Sequence, residues 1–552
     1  MTIEENLCAD GLSQEDPRQD EPVPQPSPSG RESQWSREPK LTRRASSGAE
    51  QVDVVIVGAR VAGTAAAVPL ARAGRKVVLI DKSRFPSDRL STHVLVPNGV
   101  AELRRMGALP EALELNPAIV RYLELVIGNV RVRERFTPVD GIDYGVCIPR
   151  LQQDMVLVNA ARKAGAEVRE RCSLEEILWR DGRAAGIRYR HGSDTHEIHA
   201  KLVIGADGRR SHVAAAVGSW TPYRGSRNGR GFAFAYLDDP RVGTPDHETY
   251  GIYRAGSSTC LTLPSCPLGR MLVVWMAPVE DIPRFRRDPE GVWAEKLAED
   301  PDLAQRIEGA TNKSKLLSTA DLSAFYRVSS GPGWALVGDA GHFKDPVVGQ
   351  GQRDALRHGR LLGEAAQQTL DDTAALDRTL QAWERGRDRD TISTYHWGNR
   401  ETRAAAPSAL IREVFRGFAG GEDPDVTDTF NRIRRVERVV GPGRMVKALV
   451  RALTTPGADR RAILREVAEE IPIEIGIRRE WWFGGFRYAG RSASEHPGWE
   501  LGAAPRTRRA VVAPRPGDSA VPAPTADQNP ASRDVMIRGN LEPDIAGPNP
   551  VR

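Results

Sequence analysis

Residues 52–57 (VDVVIV) form a β-branched apolar run that ends on a glycine turn. An alanine-rich stretch at 65–73 and a second apolar run at 76–80 (KVVLI) follow. Two short apolar runs flanking a helical stretch bury themselves as a βαβ unit, with both strands parallel. The turn Gly58-Ala59-Arg60-Val61-Ala62-Gly63 and Asp81 at the end of the second run add chemistry to that unit. Gly58 allows the tight turn, and Gly63 lets helix and strand pack closely. The helix N-terminus faces a pyrophosphate, and Asp81 accepts hydrogen bonds from ribose hydroxyls. A dinucleotide site is therefore expected, with a plain strand–turn–helix as the competing reading. Arg60 stands where such a turn has its middle glycine, and pairing with the pyrophosphate is its expected compensating role. Pro69 removes a hydrogen bond inside the helix and predicts a kink or an earlier end.

A chain of 552 residues exceeds what one core organises, so more than one domain is expected. Residues 1–50 and 505–552 are rich in proline and polar residues and are expected to be disordered tails. The 78 basic and 73 acidic residues form no dense basic block with interleaved aromatics, which argues against nucleic acid as a partner. Cys8, Cys147, Cys172, Cys260 and Cys266 show neither a disulfide framework nor zinc spacing, which fits a reducing cytoplasm. No run approaches the roughly 18 apolar residues of a membrane span. Arg43-Arg44 leads into SSGAEQ rather than an apolar export core, so no targeting signal is read.

Residues 225–280 alternate in strand fashion (GFAFAYL, ETYGIYR, STCLTL, MLVVWMAP), which predicts an antiparallel sheet forming a substrate-facing lobe. Phe232, Phe234 and Tyr236 share one strand face and, with Trp275, are candidates for a pocket wall. Packing within the lobe core is the competing reading. From Arg353 to about Glu470 helical periods dominate, with Leu356, Leu361, Leu362, Leu380 and Trp383 as apolar faces.

Two further apolar runs end on glycine–aspartate turns: residues 202–211 (LVIGADGRRS) and 334–342 (WALVGDAGH). Pro346-x-x-Gly349-Gln350-Gly351 follows the second. Residues 148–157 (IPRLQQDMVL), Phe85-Pro86, Pro97-x-Gly99 and Met106-Gly107 complete the set. In order and spacing these motifs resemble the para-hydroxybenzoate hydroxylase-like flavoprotein superfamily, over roughly residues 51–390. The resemblance implies an α/β fold: a discontinuous Rossmann-like FAD-binding domain of glutathione-reductase type (51–210 and 325–400). It also implies an inserted antiparallel β-sheet substrate domain (211–324) and a helical C-terminal region (401–504). It places Arg150, Asp207 and Gly208 near FAD, and Gly338 and Asp339 at the ribityl chain. Gly349, Gln350 and Gly351 then open a helix whose positive end faces the flavin ring, where it would stabilise negative charge on the reduced form. Arg353 departs from the asparagine common in that family.

By the same resemblance the chain is expected to be a cytoplasmic FAD-dependent monooxygenase. It would use NADPH or NADH and oxygen to hydroxylate or epoxidise a small organic, secondary-metabolite type of substrate. An isoprenoid (geranylgeranyl-type) reductase is the main alternative, although Ser91-Thr92-His93 lacks those reductases' cysteine pattern. A halogenase is disfavoured, because residues 273–278 keep only Trp275 and Pro278 of the W-x-W-x-I-P signature and Lys82 directly follows the ribose acid. A non-catalytic flavoprotein is also carried. No catalytic residue stands out: His93, His342 and Lys344 (beside Asp345) are candidates by position, each with a structural role as the competing reading. Neither histidine has metal-ligand spacing, so no metal is expected. The aromatic cluster Trp481-Trp482-Phe483, Phe486 and Tyr488 is expected to dock the C-terminal helices, with a cavity cap or a dimer contact as alternatives.

Overall fold

The computed structural model describes residues 50–87, 93–226, 229–320, 322–402, 405–419, 421–482 and 508–511. Most of both expected tails, together with Ser91, Thr92, Phe483, Phe486, Tyr488 and the side chains of Trp481 and Trp482, lies outside the described residues.

β1 (Glu50–Val57), α1 (Val61–Arg72) and β2 (Val77–Ile80) form the βαβ unit, with Val57 opposite Ile80 in a parallel pair. α2 (Arg150–Lys163) leads to β3 (Glu167–Arg169), parallel to β2. β4 (Cys172–Arg180) and β5 (Arg183–His191) make an antiparallel excursion into β6 (Asp194–Gly205), whose later half runs parallel to β1.

The inserted lobe is a seven-stranded sheet containing β7 (Arg230–Asp238), β8 (Thr249–Ala255), β9 (Ser258–Ser265) and β10 (Arg270–Pro278). Its edge is a hairpin, Tyr122–Ile127 and Val130–Arg135, from within the segment expected to belong to the FAD domain; the first strand pairs in parallel with β8. The reason is alternation: Leu123, Leu125, Ile127, Val130 and Val132 are buried, and they need the lobe's apolar face to cover them. Short helices at 282–307 cover the lobe's other face.

The chain returns to the first sheet as β11 (Trp334–Leu336), giving a parallel core ordered β3-β2-β1-β6-β11. α3 (Gly351–Ala366) then crosses α1 so closely that a Cβ at Gly359 would lie 2.6 Å from the Ala62 carbonyl oxygen, and one at Gly363 2.4 Å from that of Ala66. This crossing explains the alanine run, since Ala65, Ala66 and Ala67 are fully buried and larger side chains would hold the helices apart. α1 runs unbroken through Pro69 to Arg72, with the proline ring against the Gly363 crossing. α4 (Thr373–Glu401) buries Leu376, Leu380 and Trp383 on the same core. The helical region continues with α5 (Ala409–Ala419), α6 (Pro442–Thr454) and α7 (Arg460–Trp482). The tail expected from residue 505 contributes β12 (Arg508–Val511), which pairs in parallel with β4 and covers that open sheet edge.

Candidate functional site

Strand register builds the site. Val57 lies opposite Gly205, and Gly205 opposite Leu336, so β1, β6 and β11 end level at one edge of the sheet. The Ala206 amide donates to the Val57 carbonyl (2.7 Å) and the Val337 amide to that of Gly205 (2.8 Å). Three glycine loops, at 58–63, 206–208 and 338–341, are thereby held side by side at the carboxyl ends of parallel strands. That is where open α/β sheets bind ligands.

In the first loop Gly58 has φ +106°, and a Cβ there would lie 2.4 Å from the Ala206 oxygen. At Gly63 a Cβ would lie 1.9 Å from the Gly58 oxygen. Asp81 accepts from the Ala59 amide (3.0 Å) and the Ser83 amide (2.8 Å), and each oxygen keeps a lone pair. Arg60 has an extended backbone (φ −100°), a conformation open to any residue. Its guanidinium donates to Asp154, the Ser87 hydroxyl and the Ser87 carbonyl, and lies over the Phe85 ring. Through these partners Arg60 clamps the loop after β2 onto α2, at the first loop where a pyrophosphate pairing is expected for it. Arg150 shares the fully buried Asp154 carboxylate, with contacts of 2.8 and 3.0 Å.

In the second loop Gly208 takes φ +83°, and Asp207 accepts from the amides of His212 (2.7 Å) and Val213 (3.2 Å) and from the Ser211 hydroxyl. Asp207 thus shapes the loop by holding the start of helix His212–Ala216, and burial pushes its carboxyl up. Arg327, fully buried, donates to the carbonyls of Trp220, Ala340 and Arg209, tying the second loop to the third. No local pattern marks this lone arginine in the sequence.

In the third loop Gly338 (φ +60°) packs on Ala62 of α1. Asp339 accepts no hydrogen bond from another described residue; burial raises its pKa, and Arg209, Arg150 and Lys344 act on it as nearby cations. Lys344 itself is buried on Asp354, with its Nζ 3.3 Å from His342 Nε2. Arg353 joins Asp354 (2.7 Å) to Asp390 (2.9 Å), and His358 meets Asp390 at 3.1 Å. Asp354, His358 and Asp390 could in principle gather around a metal ion. Lys344, Arg353 and Arg432 already neutralise their carboxylates, so the chemistry is that of an ion-pair network. Arg353, which stands where the resemblance leads one to expect asparagine, serves this network. Burial holds His342 well below its usual pKa and so neutral. Gln350 donates to the Phe430 carbonyl (2.7 Å), which docks the helical region on the loop. Gly349 has φ +62°, and Gly351 at the start of α3 faces open space.

On the lobe, Phe232 and Phe234 are buried in its core and Tyr236 reaches His93, whose Nε2 meets the phenol. Burial, and then Arg150, hold His93 at a pKa of about 3, so it is neutral at physiological pH. Trp275 does not join this group: it pairs with Ala233 across the sheet and packs edge-on to Trp293, 5.9 Å away, on the opposite face. Side chains one residue out of phase along a strand point to opposite faces, which removes Trp275 from any pocket wall near the loops. A cavity of about 600 Å³ between Leu237, Trp293 and Lys313 also lies on that far face.

Glu384 of α4 accepts from the Ser329 amide (2.6 Å) and the Ser330 hydroxyl just before β11, and burial raises its pKa from 4.5 to about 7. A raised folded pKa contributes stability that is lost as pH climbs from the unfolded value through the folded one. Glu384→Gln keeps the bond from the Ser329 amide on its oxygen, and its NH2 donates to the Ser330 hydroxyl in place of accepting from it. It is expected to raise Tm by several degrees at pH 8 and leave it unchanged at pH 5, as read by thermal melts.

The loops fit FAD. The N-terminus of α1 has no side-chain cap and no acidic residue in its first turn, leaving its amides for a diphosphate. Asp339 offers an unclaimed carboxylate to a polyol, and nothing lies within 4 Å of where a Cβ on Gly351 would sit.

A family model described as FAD binding domain matches residues 51–390. Menaquinone reductase of Mycolicibacterium smegmatis is 27% identical over 335 residues, covering 57% of this chain and 76% of that protein. Digeranylgeranylglycerophospholipid reductase of Methanocella arvoryzae is 26% identical over 328 residues, again 57% and 76%. The crystal structure of PqsL, a probable FAD-dependent monooxygenase from Pseudomonas aeruginosa, superposes with a TM-score of 0.57 at 19% identity. It covers 67% of this chain and 99% of that one, a likeness that speaks to the fold alone.

Proposed function

Because the chain belongs to the FAD binding domain family, and is on that ground an FAD-dependent oxidoreductase, we propose that it is a monooxygenase. It takes two electrons from NADPH or NADH and, from O2, inserts one oxygen atom into a small organic substrate by hydroxylation or epoxidation, the other oxygen atom leaving as water. FAD, when bound, supplies the electron storage and the oxygen activation.

The observation carrying this reading is the level edge formed by Val57, Gly205 and Leu336, with Arg150, Arg209 and Lys344 gathered around Asp339. Gly58, Gly63 and the α1 amides would hold the diphosphate, Asp81 a ribose and Asp339 the ribityl chain. The cations would favour negative charge on a reduced ring at the start of α3. The four described thiols take no part: they are buried, and burial pushes Cys147 to about 12 and Cys172 to about 11. Tyr236 and neutral His93 orient substrate through a hydrogen bond and supply no charge.

A second reading, saturation of an isoprenoid double bond, is favoured by the reductases among the relatives, each of which matches 57% of this chain. The deciding experiment incubates FAD-loaded protein with NADPH and a panel of aromatic, polyketide and polyprenyl compounds, in air and without oxygen. Oxygen-dependent product heavier by one oxygen atom supports the monooxygenase. Anaerobic product heavier by two hydrogens replaces it with the reductase.

A further inference from the structure

The hairpin of α6 and α7 carries an exposed aliphatic surface with no part in the cofactor loops. Val446, Val450, Leu464, Ile471 and Ile475 are each more than half exposed. On α7, Leu464, Ala468, Ile471 and Ile475 recur at i, i+4, i+7 and i+11, which puts them on one stripe of the helix. Ile463 and Ile477 are buried and Val467 packs on the lobe core, so α7 is seated by a different face.

Charge is sorted around that stripe. Arg461, Arg465 and Arg479 border it at helical spacing, and their side chains make no hydrogen bond or ion pair with another described residue. Lys447 and Arg451 on α6 are unpaired in the same sense, and α6 contains no acidic residue. Three acids of α7 turn elsewhere, Glu466 accepting from Ser408 and Glu470 and Glu474 pairing with Arg400, while the exposed Glu469 lies one turn beyond Arg465, on the side away from the aliphatic stripe.

We propose that the α6–α7 hairpin docks this protein on the surface of an anionic lipid bilayer. Aliphatic side chains bordered by unpaired arginines match the boundary between acyl chains and anionic headgroups. A second copy would bring the same cations into register and repel, and a nucleic acid has no use for the aliphatic stripe. In sequence the stripe runs into Trp481 and Trp482, a residue type enriched at membrane interfaces. No described helix is long and apolar enough to cross a membrane, so the contact is lateral. The inference does not depend on which oxidation chemistry the flavin site performs.

The test is flotation of the full-length, FAD-loaded protein with vesicles of phosphatidylcholine alone, or of phosphatidylcholine with about one part in three phosphatidylglycerol. The wild type is expected to float with the anionic vesicles at least tenfold more than with neutral ones, and to detach in high salt. Ile471→Asp/Ile475→Asp and Arg461→Glu/Arg465→Glu/Arg479→Glu are each expected to lower partitioning about tenfold or more, with flavin absorbance and Tm unchanged. Wild type that stays with the soluble fraction overturns the proposal. So do variants that float as well as wild type, or a wild-type dimer in sedimentation velocity that the isoleucine variant abolishes without any vesicle binding.

Discussion

Gly63→Ala is expected to purify without visible flavin absorbance and to bind added FAD at least about 100-fold more weakly than wild type, which is roughly 2.7 kcal/mol. The Cβ would sit 1.9 Å from the Gly58 carbonyl oxygen, a backbone atom that cannot swing aside. Relief requires α1 to move away from β1, but α3 blocks that path through its contacts at Gly359 and Gly363. Overpacking of this kind costs about 1–3 kcal/mol in stability, and it moves the amides that would face the diphosphate. Gly208→Ala is the control. Its φ of +83° costs a non-glycine residue about 1–2 kcal/mol, but nothing lies within 4 Å of the added atom. It should therefore keep FAD within about tenfold of wild type. Titration of flavin fluorescence against both variants decides the matter. Stoichiometric flavin in Gly63→Ala would remove the first loop from the binding site.

How much of this was legible in the sequence depended on the range of the interactions involved. The βαβ unit, the three glycine turns and the alternating strands are local patterns, and parallel pairing then aligned the turns. The hairpin at 122–135 carried the same alternation as the lobe and was readable by period. Its assignment to the lobe was not, because it pairs with β8 more than a hundred residues later. Arg60 could be seen to break a motif, but its partner Asp154 is 94 positions away and nothing local points to it. Trp275 shows a different limit. Strand period told which residues share a face within β7 or within β10, whereas the pairing of Trp275 with Ala233 fixes the face across strands. Arg327 had no signal at all, since its three acceptors are backbone carbonyls that any residue could supply.

Asp354→Asn is expected to lose about 3–5 kcal/mol of stability at pH 7, the cost of leaving a buried cation without its partner. Asp354 receives both the Lys344 ammonium and Arg353, and all three side chains are buried. An amide keeps the shape but not the charge, and Lys344 is left without an anionic partner, with neutral His342 at 3.3 Å. Two pH signatures separate this from a simple packing defect. The neighbouring cations hold the Asp354 carboxyl far below its ordinary value against the opposing effect of burial. A depressed acid contributes stability above its unfolded pKa and loses it as pH falls, so the gap in Tm between wild type and variant should narrow below about pH 4. Burial already lowers the Lys344 pKa in the wild type, and Asp354 opposes that shift. Without Asp354 the lysine sheds its proton more readily, and a lysine with a depressed folded pKa gains stability as pH rises. The variant should therefore recover Tm between about pH 8 and 10 more steeply than the wild type, whose Lys344 is less depressed. Lys344→Met/Asp354→Leu removes both charges together and is expected to recover most of the loss, because a buried pair is costly to break but cheap to replace. If the single variant melts like wild type at pH 7, the network carries no such energy, and Lys344 must be shielded by another group.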